Sequence, residues 1–503
     1  MTIDPKLKIL VHLGAKHGLG CVLFLLSYFF YLFRINSYYL SISTDAWGIL
    51  VSSRSILEGG FSGDPNKTFS ILIGLIPAYF NSPELFPYIT ALFGAATCTA
   101  VFLTVESLAK KRISSLIAWG IAINCPVLTW QILSCNSLVF ATCFLMGSLN
   151  YFCRKKIKKG CVFLTLAAFS RPEPFILILP ILGYCFYQWQ KGNLTKKELF
   201  FNFVLLASAP LWWLFFNLTQ TGDPISGLIS IQEYAQSVPD IYRVNEFFRN
   251  LRHLLTTYYM DFFPIAIAAA GFAFLFIRIK KVFFLYIFSI SNLFGYWFLA
   301  NNLSQFVLVE RFLLPFYLYL VIFSVLLLDY GIQKLELIFS KNSYSLVWVY
   351  ISVLTFYSLY LNMDQHKRIA NILGYHAKFD RAILETTSIL KDDLAHVDRL
   401  TILVSSRRHN MLRWHMQEFN DRISLKSFRS LQTGNSDLRK ESVDLVILAR
   451  GDFHSRPSAV YNLNLLSLEG LKAQKLCYNK IIPISEGTLI FKITRESDCS
   501  KGT

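Results

Sequence analysis

Charge is scarce in this chain. Only 16% of its 503 residues are Asp, Glu, Lys or Arg, while 54% are hydrophobic. A soluble protein of this length carries about a quarter charged residues, so composition argues against one. Metal-ligand spacing is also missing. The ten Cys are scattered, mostly through apolar segments, with no CxxC and no Cys/His spacing. Neither a zinc site nor a disulfide framework is supported, and such Cys serve as small core hydrophobes. No Gly-rich phosphate loop follows a strand, which leaves a nucleotide site without support. There is no internal repeat, against a transporter or flippase built from two related halves. No low-complexity linker is present.

What the chain has is long apolar runs, rich in Phe (45) and Tyr (25). These define an α-helical polytopic membrane protein. The net charge of +17 would by itself suit nucleic acid. Many of the basic residues, however, cluster in short loops between apolar runs, the positive-inside pattern, and no nucleic-acid partner is expected. The first run, Leu19–Phe33, follows Lys6, Lys8, Lys16 and His17 and is closed by Arg34. No small-x-small cleavage site follows, so it reads as a retained span with its N-terminus in the cytoplasm.

Apolar runs predict spans near 18–36, 86–109, 113–130, 135–152, 160–170, 174–188, 199–217, 260–278, 282–300, 308–329 and 344–362. The pair 160–170 and 174–188 is short for a crossing and is broken by Arg171-Pro172-Glu173-Pro174. Basic loops at 110–112, 154–159, 196–197 and 278–281 alternate onto the side of the N-terminus, with Lys334 and Lys341 weaker. The expectation is about eleven spans, N-terminus in and C-terminus out. The outside then holds the loop 37–85, the Arg171–Pro174 turn, the loop 218–259 and everything beyond 363. Within the first of these, Phe69–Phe80 reads as an interfacial helix.

Beyond about 363 charges become frequent and apolar runs short. Asn371–Lys391 reads as an amphipathic helix, and Leu400–Val404, Ile423–Phe428, Val443–Ala449 and Thr488–Ile493 as strands, with a helix near Met411–Phe419. The division is a membrane module, 1–362, and a small extracytoplasmic α/β domain, 363–503.

A few polar residues stand out. Asp45, in Ser43-Thr44-Asp45-Ala46-Trp47, follows the first span and precedes Arg54 and Glu58-Gly59-Gly60. A carboxylate beside a span is solvated, paired or working. Either Thr44 or Asp45 caps a helix over Ala46–Leu57, or Asp45 is a general base where lipid-borne and aqueous substrates meet. Arg171-Pro172-Glu173 sets an Arg at a span edge, suited to lipid phosphate, to snorkelling or to pairing with Glu173. Glu310-Arg311 opens the run Phe312–Leu328, where Arg is either an interfacial anchor or a bidentate phosphate ligand. Gly222-Asp223-Pro224 starts an outer loop and reads as a turn.

In order, Thr44-Asp45-Ala46-Trp47 with Arg54 and Glu58-Gly59, Ser170-Arg171-Pro172-Glu173, Thr221-Gly222-Asp223-Pro224 and Glu310-Arg311-Phe312-Leu313-Leu314-Pro315 resemble the motifs of the GT-C superfamily of integral membrane glycosyltransferases. The resemblance covers about 1–330. It implies an inverting hexosyl- or pentosyltransferase, mannosyl- or arabinosyltransferase-like, that uses a polyprenyl-phosphate sugar. It casts Asp45 as base and Arg54, Glu58, Arg171, Glu173, Asp223 and Arg311 as substrate-binding residues. The partners implied are the lipid-linked donor, a glycan, lipid or protein acceptor, and membrane lipid. A lipid-linked oligosaccharide ligase or polymerase is the enzymatic alternative, and a transporter or a non-catalytic scaffold the others. Many relatives carry two adjacent acids in the first loop, a pair that sometimes holds a metal. Here Thr44 precedes a single Asp45, which leaves a divalent metal possible but doubtful, and no other cofactor is implied. A bacterial inner membrane is the first choice of location, with the endoplasmic reticulum as the alternative.

Overall fold

The computed structural model describes residues 5–37, 43–60, 67–226, 279–302, 313–338, 381–391, 394, 399–404, 406–419, 421–427, 443–449, 476–483 and 488–495. The chain starts with α1 (Pro5–Ser37), α2 (Thr44–Leu57), α3 (Thr68–Tyr79) and α4 (Leu85–Leu108). Then come α5 (Arg112–Ile123), α6 (Pro126–Leu133), α7 (Leu138–Cys153), α8 (Ile157–Ser170), α9 (Phe175–Gln190) and α10 (Lys196–Thr221). After a gap follow α11 (Ile279–Asn302) and α12 (Leu314–Ile338).

Among the described residues, four helices are long and apolar enough to cross a membrane: Gly18–Ser37, Leu85–Leu108, Lys196–Thr221 and Leu314–Gln333. A fifth is added if α5 and α6 count as one span, bent by 52°. The sequence reads that stretch as one straight run, 113–130. The bend falls at Asn124-Cys125, just before Pro126, which opens α6. Proline disfavours helical backbone in the residue before it, and Cys125 is extended. α7, α9 and the middle of α11 are shorter apolar helices. The expected spans 260–278 and 344–362 lie outside the described residues.

Burial sorts the helices. In α12 an unbroken run, Leu314–Phe323, is buried on every side. A helix apolar all round belongs in the middle of a bundle, and α12 packs on α4, α5, α7 and α11. α10 is peripheral, with Phe200, Phe203, Leu211 and Phe215 exposed. Its ends are cut cleanly. Thr195 and Glu198 form a capping box, and Gly222 (φ +75°) closes the helix in the left-handed region. The abundant Phe gathers where α3, α4 and α7 meet. Phe69 and Phe144 lie edge-on at 4.8 Å, as do Phe93 and Phe140. α3 leaves Leu72, Ile76 and Tyr79 exposed along one stripe, which its C-cap Phe80 continues.

The C-terminal region holds α13 (381–391) and α14 (Ser406–His415) with a five-stranded mixed sheet. Its strands are β1 (Leu400–Val404), β2 (Ile423–Ser427), β3 (Leu445–Ala449), β4 (Leu476–Pro483) and β5 (Thr488–Arg495), in the order β2-β1-β3-β5-β4. β1 runs parallel to β2 and β3, and β5 is antiparallel to β3 and β4. The sequence reading misses β4. Its alternation is broken by Asn479-Lys480 and by a register shift between Tyr478 and Lys480. The helix expected over 411–419 begins earlier, at Ser406. The proposed boundary near 362 lies outside the described residues.

One buried acid ties the late span to the early helices. Asp329 on α12 is 3% exposed. Its carboxylate accepts the Lys110 and Lys111 N–H groups at 3.0 and 3.1 Å, the Ser114 hydroxyl at 2.9 Å and the Gln333 amide. Lys111 is the N-cap of α5 and offers no side-chain cap of its own. Asp329 therefore supplies the missing acceptor from a distant helix, where helix N–H groups and dipole favour an anion. Replacing it strands several buried donors, at about 3 kcal/mol. Asp329→Ala is expected to lower the thermal unfolding midpoint of the detergent-solubilised protein, and Asp329→Asn to lower it less. A melt of Asp329→Ala matching wild type would remove the clamp from the list of stabilising contacts.

Candidate active site

The candidate site is built on the turn between α6 and α7. α6 ends in a Schellman motif. Cys135 N–H bonds Ile132 O at 3.0 Å, and Asn136 N–H bonds Gln131 O at 2.9 Å. The left-handed position, usually glycine, is held here by Cys135 (φ 56°). That conformation costs about 1–3 kcal/mol for a side-chain-bearing residue and persists where the surroundings over-determine it. The surroundings do so. Ser134, Cys135, Asn136 and Ser137 are all buried, and the Thr90 hydroxyl donates to Ile132 O at 2.9 Å.

This turn holds two of the regions singled out in the sequence. Ser43 N–H donates to the Ser134 carbonyl at 3.0 Å. Three residues on, the Ser137 hydroxyl accepts from Arg171 Nη1 at 3.0 Å. Ser43 is the N-cap of α2, its hydroxyl accepting from Ala46 N–H at 3.2 Å. The sequence reading places the cap at Thr44 or Asp45; the structure corrects it to Ser43. Asp45 is thus the second residue of the helix and is not needed as its cap. The helix ends as expected, with Glu58 as C-cap and Gly59 at φ +82°.

Arg171 is 7% exposed and ends α8 in extended backbone, because Pro172 cannot continue the helix. Its guanidinium grips Glu173 through Nε (3.0 and 3.1 Å) and Nη2 (2.8 Å). A fork-to-carboxylate contact of this kind fixes orientation as well as charge. Ser137 carries no signal in the sequence, since only the packing of the fold brings it to Arg171.

The remaining candidates sit elsewhere or beyond view. Arg54 donates from Nη2 to Asn81 Oδ1 at 2.9 Å, lies 3.9 Å from Glu58, and stacks 4.4 Å over the Trp414 ring. Glu58 accepts from Gln417 Nε2. Asp223 Oδ1 accepts from Ile225 N–H at 3.0 Å, an Asx turn after α10. Among the described residues its hydrogen bonds stay within that turn. Arg311 lies outside the described residues, as does the side chain of Asp45. No group of three or more His, Cys, Asp or Glu that could hold a metal occurs among the described residues.

No family model matches this chain, and no curated protein does. Solved structures do. ArnT from Cupriavidus metallidurans bound to undecaprenyl phosphate superposes with a TM-score of 0.57 at 10% identity, covering 95% of this chain and 98% of that one. Its apo state gives 0.53. The Archaeoglobus fulgidus oligosaccharyltransferase, solved in complex with Zn and sulfate, gives 0.52 at 13% identity over 90% of this chain and 69% of that one. This chain has the GT-C fold. At such identities the likeness speaks for architecture, an integral membrane helical module with a small mixed domain.

Within the GT-C fold, α2 lies between α3 and α14 of the C-terminal region. Trp47 lies 5.4 Å edge-on to His415. Burial pushes the imidazole pKa below its ordinary value; Glu84 opposes this, while Lys391 and Arg54 add to it. The folded state therefore favours neutral His415. Stability from this group is present above its unfolded value of about 6.5 and is lost as pH falls below it. The melting temperature should drop from pH 7 to pH 5, and His415→Gln should flatten that part of the drop. Identical pH profiles for the two proteins would remove His415 from the explanation.

Proposed function

We propose that the protein is an inverting glycosyltransferase that moves a sugar from a polyprenyl-phosphate donor to an acceptor hydroxyl at the outer face of the membrane. The observation that carries this reading is the α6–α7 turn, which bonds the start of α2 at Ser134 and Arg171 at Ser137. A candidate base and a candidate phosphate ligand thus share one rigid support. The ArnT relative, solved with undecaprenyl phosphate, supports a polyprenyl-phosphate partner.

The reaction follows from the residues. The acceptor oxygen attacks the anomeric carbon as the bond from that carbon to the phosphate oxygen breaks. Attack from the opposite face inverts the centre. Asp45 takes the acceptor proton as the new bond forms. The leaving polyprenyl phosphate gains negative charge, and N–H donors from Arg171 and Arg311 stabilise it. Glu173 and Ser137 hold the Arg171 plane. Asp223, Arg54 and Glu58 complete the proposed substrate-binding set. With Thr44 where a second acid would stand, the donor set is thin for a divalent ion. A bacterial inner membrane is the proposed location. The oligosaccharyltransferase relative favours a second reading, in which the donor is a lipid-linked oligosaccharide. Assays with a monosaccharide and an oligosaccharide donor separate the two.

Asp45→Asn is expected to lower transfer from a polyprenyl-phosphate sugar by about 10²–10⁴-fold while expression and melting stay near wild type. Arg171→Lys, which keeps the charge and loses the fork, is expected to lose about tenfold or more. Full activity in Asp45→Asn membranes would sink the assignment of the base.

A further inference from the structure

α2 is fourteen residues long, too short to be stable in isolation. Its inner face is seated on α3, where the Ser53 hydroxyl donates to Ile71 O at 2.7 Å and the Ser53 and Ile49 side chains press against Gly74. Another face carries Trp47, Arg54 and Glu58. These are spaced by seven and four residues, so they fall within about 40° of one line along the helix. All three meet the C-terminal domain. Trp414 lies 6.1 Å from Trp47 and 4.4 Å beneath the Arg54 guanidinium, and Gln417 bonds Glu58. Gly48 lets α14 approach closely, since a Cβ there would come within 3.1 Å of Asn410 Nδ2. Trp47 and Trp414 are each 5% exposed, so the contact is a packed interface.

We propose that the C-terminal domain grips α2 to fix the start of that helix, and that Trp414 is the positioning residue of the grip. The proposal rests on the reading of Asp45 as the base. Besides their proposed place in the substrate-binding set, Arg54 and Glu58 also anchor the helix they sit on, through Trp414 and Gln417. Transfer chemistry is sensitive to placement: a shift of about 1 Å in a reacting group costs about a hundredfold in rate. A helix whose first turn is free to fray presents its second residue badly. The Ser43–Ser134 bond tethers one end of α2 to the membrane module. The Trp47–Trp414–Arg54 stack stops the helix from rolling about that tether.

The test uses full-length protein in lipid nanodiscs, comparing wild type, Trp414→Ala and Trp414→Phe. Amide exchange is followed at 44–50 and, as an internal control, in α7. Trp414→Ala should speed exchange at 44–50 by about tenfold and leave α7 unchanged. With a polyprenyl-phosphate sugar its kcat should fall about tenfold to a hundredfold with KM within about twofold. Trp414→Phe, which keeps a ring under Arg54, should recover most of both. Unchanged exchange at 44–50 overturns the grip, as does a rise in KM at constant kcat, or loosening of α7 to the same degree. Should Trp414→Ala fail to accumulate, Gln417→Ala at the rim is read by the same two measurements, with a smaller effect expected in the same direction. A wild type inactive with every lipid-linked donor would sink the functional reading instead. The exchange result needs no substrate and would still uphold or overturn the grip.

Discussion

A backbone polar group buried among membrane helices has no water to turn to and must find a partner in the protein. The turn at 134–137 shows how much of this fold follows from that demand. The end of α6 leaves carbonyls without helical partners. Gln131 and Ile132 are satisfied by the left-handed turn at Cys135, and Ser134 by the N–H of Ser43. That last bond is the consequential one. It joins α2 to the helical core directly. The strain at Cys135 is the accompanying cost, tolerated because every neighbour in the turn is buried and bonded.

The other end of the same unit is tied as firmly. The α5–α6 pair is bent and starts without a side-chain cap of its own. Asp329 supplies the acceptor from α12. A bent span would ordinarily be the compliant part of a bundle. Here its two ends are pinned, by a carboxylate from the central helix at one end and by Ser43 at the other. The frame carrying α2 and the Arg171 turn is therefore stiff in spite of the break at Pro126, and stiffness is what a positioned site requires.

The parts of this arrangement differed in how visible they were from sequence. Spans such as 18–36, 86–109 and 199–217 were legible because hydropathy reports the solvent around a helix directly. The Arg171–Glu173 pair was legible because its partners are two residues apart. The end of α2 was legible in Glu58-Gly59, where only glycine adopts the required backbone freely. Its start was not, since Ser43, Thr44 and Asp45 are all good caps and the choice was made by the bond to Ser134, about ninety residues away in the chain. Ser137, Asp329 and Trp414 were silent for the same reason. Each matters through a contact that exists only once distant helices have packed. β4 was hidden differently, by a bulge that interrupts the alternation a strand is recognised by.

The Arg171–Glu173 pair raises a question of energetics that bears on its role. A buried ion pair seldom stabilises a protein more than well-packed apolar side chains would, because desolvation offsets attraction. Its presence at the C-terminal end of α8 is therefore poorly explained by stability. Its geometry suggests another use. Glu173 holds the Nε and Nη2 edge and Ser137 holds Nη1, so the plane of the guanidinium is set before any ligand arrives. The pair is close to neutral overall, which makes it a weak attractor of a phosphate at a distance. A leaving phosphate, however, gains its charge only as the bond to the sugar breaks. Oriented donors that need no reorganisation at that moment favour the transition state over the bound donor. On the proposed reading, pairing with Glu173 gives up tight ground-state binding at this position in exchange for orientation, and the remaining attraction for the phosphate falls to cations such as Arg311.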